Sequence, residues 1–167
     1  MKWLLPLLAL LLGAAAEPSE QFRPEEVAQA YAAIAELPGE VSLAAATFGD
    51  GGPRTFLTKR DWIALETGEG KATPRELLAK LDAIRTGGTL EPMAEVPPAL
   101  RTAAAKHPVY AYRRSAAAGA ASISVLLKNR SGRWLAFAVI WNGDAAAVDE
   151  ARLAAGLERL ILLMPHE

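Results

Sequence analysis

Two apolar segments near the C-terminus, Ser122–Lys128 (SISVLLK) and Arg133–Trp141 (RWLAFAVIW), flank the link Asn129-Arg130-Ser131-Gly132. A four-residue link that ends in Gly is typical of a β-hairpin, because Gly adopts positive φ without strain. The second segment is apolar on both alternating faces, so a strand here needs packed layers above and below it. Beyond it, Asp144 is expected to cap a long helix whose apolar stripe comprises Leu153, Leu157, Leu160, Ile161 and Met164.

The segment that follows the N-terminal leader predicts a helix and a first hairpin. Pro24 suits the first turn of a helix, and Pro38-Gly39 ends it. Val41–Phe48 and Arg54–Ala64 have the composition of strands and flank a glycine-rich turn. Glu66–Ala72, which contains two glycines, is expected to be a loop.

The middle of the chain contains the clearest helix start. Thr73-Pro74-Arg75-Glu76 combines an N-cap residue, a proline at the first helical position and the Glu of a capping box, and Gly87-Gly88 ends that helix. A short helix is expected near Ala99–Lys106. Val109–Tyr112 begins a strand, and the small residues Ser115–Ala121 are expected to form a spacer before the second hairpin.

The resulting order is helix, strand, strand, helix, short helix, strand, strand, strand, helix. Consecutive hairpins imply antiparallel pairing. We therefore predict an α+β fold with an antiparallel sheet of about five strands. The N- and C-terminal helices are expected to pack on one face of this sheet.

The first sixteen residues have the pattern of a secretory signal peptide. Lys2 supplies a positive charge, Leu4–Leu12 forms an apolar core too short to span a bilayer, and Ala14-Ala15-Ala16 fits a cleavage site. Residues 17–167 are then expected to form a single domain. This domain would be exported to the periplasm or the extracellular space, without a membrane span after cleavage.

The composition excludes several function classes. Lys2 is the leader's sole charged residue, so residues 17–167 carry 17 basic and 19 acidic side chains, a balance that does not favour nucleic-acid binding. The chain has no cysteine, which excludes disulfides and thiol chemistry. The isolated His107 and His166 do not form a metal site, and we expect no cofactor. The oligomeric state is left open.

Three strings of residues resemble a known family. Ala72–Leu78 (ATPRELL), Ser131–Val139 (SGRWLAFAV) and Asn142-Gly143 occur in the order found in the serine β-lactamase and penicillin-binding DD-peptidase superfamily. The resemblance implies a five-stranded antiparallel sheet with the two terminal helices together on one face. It also implies that the family's helical insert is reduced here to a loop near Glu66–Lys71.

The family's catalytic motifs are missing from this sequence. No Ser-x-x-Lys or Thr-x-x-Lys occurs, so the family's nucleophile and its lysine have no counterpart. The Lys-Thr-Gly of the third strand falls, by register, at Tyr112-Arg113-Arg114. The resemblance therefore implies a non-catalytic domain that acts by binding.

The candidate ligand-binding residues are Tyr112, Arg113, Arg114 and Ser115. Arginine binds carboxylates in a bidentate manner, so a cell-envelope peptide, a cell-wall fragment or a protein partner is the expected ligand. A solvated strand end is the simpler interpretation. Two alternatives stay open: a minimal serine hydrolase with Ser115 or Ser122 as nucleophile, and an unrelated secreted module with helices on a sheet.

Two further groups of residues are interpreted as structural. Trp62, Trp134 and Trp141 are expected to pack in the sheet rather than to bind a ligand. Glu66, Glu69 and Lys71 could provide acid–base chemistry, but a solvated polar loop is the preferred interpretation.

Overall fold

The structure is a computed structural model, and it describes residues 24–164. The helices are α1 (Pro24–Ala35), α2 (Pro74–Thr86), α3 (Arg101–Lys106) and α4 (Glu150–Leu163), with a 3-10 turn at Pro98–Leu100 before α3. The strands are β1 (Glu40–Gly49), β2 (Gly52–Lys59), β3 (Leu65–Glu66), β4 (Lys71–Ala72), β5 (Val109–Ala117), β6 (Ala120–Lys128) and β7 (Trp134–Asn142). The predicted leader and His166 lie outside the described residues.

Five strands form one antiparallel sheet in the order β2-β1-β7-β6-β5, which confirms the predicted fold class. The last strand in the chain, β7, is the central one. It pairs with β1 from Glu40 opposite Asn142 to Phe48 opposite Trp134, and with β6 on its other side. The β6–β7 hairpin turns at residues 129–132, as the sequence predicts, and Gly132 has φ +79° there.

Helices cover both faces of the sheet, so β7 is buried on both sides. Phe137, Val139 and Trp141 pack in the core beneath α1 and α4, and all three are fully buried. Ala136 and Ala138 point the other way, toward α2. The N-terminal and C-terminal helices of the described chain therefore lie together on one face, as predicted, and α2 lies on the opposite face.

The start of α2 follows the predicted capping box. The Glu76 N–H donates to Thr73 Oγ1 over 3.1 Å, and the Thr73 N–H donates to Glu76 Oε2 over 2.7 Å. These two bonds satisfy backbone donors that would otherwise lack partners at the helix start. Leu78 and Leu81 then face the sheet and are buried.

The second predicted strand is shorter than expected, and one tryptophan is misplaced as a result. Strand β2 ends at Lys59, because Arg60 adopts a positive φ of 49° and the Ile63 N–H donates to the Arg60 carbonyl over 3.0 Å. Trp62 therefore lies in a turn and is 65% exposed, so the prediction that it packs in the sheet is wrong. Trp141 is buried and Trp134 partly buried, as expected.

The expected spacer at Ser115–Ala121 is also wrong. Strand β5 continues to Ala117, and a tight turn at Ala118-Gly119 leads directly into β6. Gly119 has φ +77°, and a Cβ there would lie 2.7 Å from the Gly143 carbonyl oxygen. The small side chains thus belong to a regular hairpin, and the strand that begins at Val109 continues to Ala117.

The last helix is capped by a different aspartate. Asp149 is the N-cap of α4, and its Oδ1 accepts from the Ala151 N–H over 2.9 Å. Asp144 instead closes the preceding turn, where its Oδ1 accepts from the Ala146 N–H over 2.9 Å. Both aspartates satisfy backbone donors at a turn or helix start, which is why the sequence alone does not separate them.

Candidate ligand-binding trough

A cavity of about 650 Å³ lies on the α2 face of the sheet, at its β5 edge. Helix α2 covers the β1 and β7 side of that face and leaves the β5 end open. We call this cavity the β5 trough. Its walls come from the loop between β3 and β4, from α2 and from Pro97-Pro98, and its floor comes from β5 and β6.

The floor of the β5 trough carries four polar side chains. In the register of β5 and β6, Arg113 lies opposite Ser124 and Ser115 lies opposite Ser122. Cross-strand partners point to the same side of a sheet, so one guanidinium and three hydroxyls share this floor. A ligand in the trough therefore meets a cation and hydrogen-bonding groups on rigid strands.

One wall of the trough, next to the start of α2, is a very short hairpin. Strands β3 and β4 pair Leu65 with Ala72 and Glu66 with Lys71. The prediction that Glu66–Ala72 is a loop is therefore wrong at both ends of that segment, whereas residues 67–70 do form the loop of the hairpin. Two-residue strands carry no detectable pattern in a sequence. Contacts with the main sheet, made by the Asn142 side chain, hold the hairpin in place.

Asn142, at the end of β7, fastens this hairpin to the sheet. Its Oδ1 accepts from the Glu66 N–H over 2.9 Å, and its Nδ2 donates to the Glu66 carbonyl over 2.6 Å. A single amide side chain thus forms the pair of bonds that a neighbouring strand would form. Ser122 adds a third bond, because its hydroxyl donates to the Thr67 carbonyl over 3.3 Å.

The hairpin meets β5 at Gly68. This residue has φ +97°, and a Cβ built on it would lie 2.7 Å from Ser115 Oγ and 2.9 Å from the Ala116 carbonyl carbon. Glycine is required here both for its backbone conformation and for the close approach. The wall of the trough therefore touches the floor at Ser115.

The charges that line the β5 trough are mostly positive. Among the described residues, neither Arg113 nor Lys80 forms a hydrogen bond or ion pair through its side chain. Lys71 has a loose ion pair with Glu66, with 3.8 Å between Nζ and Oε1. Glu69 is the one carboxylate in the lining. The trough is therefore suited to an anion.

The structure brings all four predicted site residues, Tyr112 to Ser115, to the lining of the trough. Arg113 and Ser115 belong to the floor. Arg114 points to the other side of the strand, where its guanidinium is 2.8 Å from a carboxylate oxygen of Glu150 in α4. Glu150 therefore balances the charge of Arg114, whereas no described residue does so for Arg113. Burial raises the pKa of the Tyr112 phenol, Glu150 raises it further, and Arg114 opposes the shift.

The hydroxyls of the trough show no activated nucleophile. The Ser122 hydroxyl donates to a backbone carbonyl rather than to a base. Within residues 24–164, no hydrogen bond joins Ser115, Ser122 or Ser124 to a His, Lys or carboxylate side chain. A serine nucleophile needs such a base within hydrogen-bond reach. The arrangement can bind and orient a ligand.

Sequence reasoning missed three contributors to the trough: Ser124, Lys80 and Asn142. Ser122 and Ser124 alternate with apolar residues on β6, so they lie on one face of a buried strand. This alternation could have predicted a polar site on that face. Lys80 lies on α2, and no motif in the neighbouring sequence marks it as a ligand-binding residue. Asn142 acts on a residue 76 positions away, which no local pattern reveals.

The described part of the chain contains no group of three or more His, Cys, Asp or Glu residues placed to hold a metal ion. His107 is buried in the loop before β5 and is not among the residues that line the trough. No helix between residues 24 and 164 is long and apolar enough to cross a membrane.

Comparisons of this chain with protein-family models, with curated proteins and with solved structures find no match. The resemblance to the β-lactamase superfamily consequently stays a prediction drawn from the residues. The function must be argued from the trough itself.

Proposed function

We propose that this protein is an exported binding domain of β-lactamase-like architecture that holds an acidic ligand of the cell envelope in the β5 trough. The ligand class is a carboxylate-bearing peptide or cell-wall fragment. Arg113 binds the carboxylate, and the serines of the floor donate hydrogen bonds to the rest of the ligand.

The observation that carries this proposal is the state of Arg113. Its guanidinium lies on the floor of a cavity of about 650 Å³ and has no partner within the described residues. The neighbouring Arg114 is paired with Glu150, so the two adjacent arginines differ in their availability. A guanidinium offers a planar, bidentate surface that matches a carboxylate.

The architecture supports the family part of the proposal. Two strands follow α1, three strands precede α4, and these helices are neighbours on one face of the sheet, which is the arrangement that the resemblance implies. Export is supported by the signal-peptide pattern of residues 1–16 alone. The sequence has no Ser-x-x-Lys motif, and no serine of the trough is activated by a base in the described residues, which favours binding over hydrolysis.

The proposal is tested by calorimetric titration of the purified protein. The probe is a cell-wall peptide with a free C-terminal carboxylate, compared with the same peptide carrying a C-terminal amide. We expect the free acid to bind at least about tenfold more tightly, because a charge-assisted bidentate contact contributes roughly 1.5–3 kcal/mol. Arg113→Gln should remove that preference, whereas Arg130→Gln, at the exposed tip of the β6–β7 hairpin, should not change it.

Two results would oppose the proposal. Equal affinity for acid and amide would exclude carboxylate recognition by Arg113. Covalent labelling of the protein by a fluorescent penicillin or an activated ester, abolished by Ser115→Ala, would establish the serine hydrolase instead.

A further inference from the structure

A second cavity, of about 470 Å³, lies on the opposite face of the sheet from the β5 trough and at its other edge. It is bounded by β2, by the start of α1 at Val27 and by Met164 just after α4. We call it the arginine groove. Its position makes it independent of Arg113 and of the function proposed above.

A β-bulge shapes the apolar part of the arginine groove. In the pairing of β1 with β2, Ala45 lies opposite Leu57 and Ala46 lies opposite Thr55, so Phe56 is the extra residue. The bulge places Phe56 and Leu57 on the same side, where the Phe56 ring stands edge-on to Phe137 at 6.2 Å. Phe56 nevertheless remains 46% exposed, which is uncommon for a large apolar side chain.

Two arginines lie at the end of the groove that the helices leave open. Thr47 pairs with Arg54 on one side and with Leu135 on the other, so these side chains point to the same face. Arg133 precedes β7 and also lines the groove. Its backbone is held in the hairpin, because its N–H donates to Asn129 Oδ1 over 2.8 Å.

The two arginines of the groove have no charge partner in the described part of the chain. Neither Arg54 nor Arg133 forms an ion pair or a side-chain hydrogen bond in the described part of the chain. Within residues 24–164 no acidic residue lines the groove, and its remaining surface is mostly apolar, from Val27, Leu57 and Met164. A ligand that complements this surface is apolar along its length and anionic at one end.

We propose that the arginine groove binds a fatty acid, with the carboxylate between Arg54 and Arg133 and the acyl chain against Phe56 and Leu57. The volume falls within the usual range for small-molecule sites. An acyl chain with a terminal carboxylate matches this arrangement, because it is apolar along its length and anionic at one end. The acyl chain would cover the exposed part of the Phe56 ring.

The methionines provide a direct readout of the site. The chain has three, and Met164 lines the groove, whereas Met93 packs near β5 at the other edge of the sheet. With methyl-labelled methionine, titration of the purified protein with laurate should shift the Met164 resonance and leave Met93 unchanged. Dodecanol, which has the same chain length without the charge, should bind at least about tenfold more weakly.

Substitutions test the charged part and the apolar part of the site separately. The double substitution Arg54→Gln and Arg133→Gln should weaken laurate binding by about tenfold or more and leave dodecanol binding unchanged. Phe56→Ala should weaken both ligands several-fold. Arg101→Gln, a distant exposed arginine at the start of α3, serves as the control for overall charge.

Four outcomes would overturn the proposal. Laurate and dodecanol could bind with equal affinity, the arginine double variant could bind laurate as tightly as the wild type, or Met93 could shift in place of Met164. Absence of any laurate binding would overturn it as well. None of these outcomes would affect the carboxylate preference assigned to Arg113, which is measured in the other cavity.

Discussion

Replacement of Gly68 by alanine tests whether the β3–β4 hairpin is seated on β5 as described. Two costs are expected. The backbone at φ +97° is unfavourable for any L-residue with a side chain, which costs about 1–3 kcal/mol. The new Cβ also meets Ser115 Oγ at 2.7 Å and the Ala116 carbonyl carbon at 2.9 Å. The serine hydroxyl can rotate away, but the strand backbone cannot.

Gly70, two residues further on, provides a matched control. It has φ +120°, and nothing lies within 4 Å of a Cβ built on it. Gly70→Ala therefore incurs the backbone cost without the contact. The difference in the free energy of unfolding between the two variants therefore measures the cost of displacing the hairpin from β5. Three hydrogen bonds with Asn142 and Ser122 hold the hairpin there. At roughly 1 kcal/mol each, these bonds limit the extra loss to about 3 kcal/mol.

The measurements are urea unfolding followed by circular dichroism and native-state hydrogen exchange at the Glu66 amide. We expect Gly68→Ala to have the lower free energy of unfolding of the two variants. We also expect faster exchange of the Glu66 amide, because this N–H donates to Asn142 when the hairpin is seated. Equal stability and equal Glu66 exchange in the two variants would refute the contact between Gly68 and β5.

Three further predictions concern the core, the phenol and the N-terminus. Leu157→Ala should lower the free energy of unfolding by about 2–5 kcal/mol in urea titration, because Leu157 is fully buried in the α1–α4 core. The phenolate absorbance lost in Tyr112→Phe should titrate above the ordinary pKa of 10.0, and Glu150→Gln should lower that midpoint. Because the folded state favours the neutral phenol, the Tyr112 contribution to stability is present below pH 10.0 and is lost as the pH rises through the raised pKa. Mass spectrometry of the exported protein should give an N-terminus at Glu17, and retention of residues 1–16 would contradict the signal peptide.

The elements that the sequence predicts well are those with local causes. The capping box at Thr73, the Gly132 turn and the two-faced apolar pattern of β7 all depend on residues within a few positions of one another. The β3–β4 hairpin could not be predicted, because it depends on Asn142, which is 76 residues from Glu66. Trp62 was misplaced for a related reason, since the positive φ of Arg60 ends β2 without any glycine or proline signal.

The candidate site was predicted in part. Tyr112 to Ser115 were candidates because the family resemblance places its Lys-Thr-Gly motif at Tyr112-Arg113-Arg114, and these residues do line the trough. The difference between Arg113 and Arg114 could not be predicted, because it depends on Glu150 in α4, which lies across the strand. The arginine groove could not be predicted, because the bulge at Phe56 interrupts the alternation of side chains between the two faces of the strand.

The central position of β7 has a consequence for the order in which this protein can fold during synthesis. Strand β1 is made before its partner on one side, from Trp134 to Asn142, and the segments that form β2 to β6 are made between them. Helix α1 likewise packs against α4, at the far end of the chain. A nascent chain that stops before Trp134 leaves β1 with an unpaired edge and α1 without its partner. The sheet therefore cannot close until Asn142 has been made, and a truncated chain that ends before Trp134 should expose the edge of β1 to pairing with other chains.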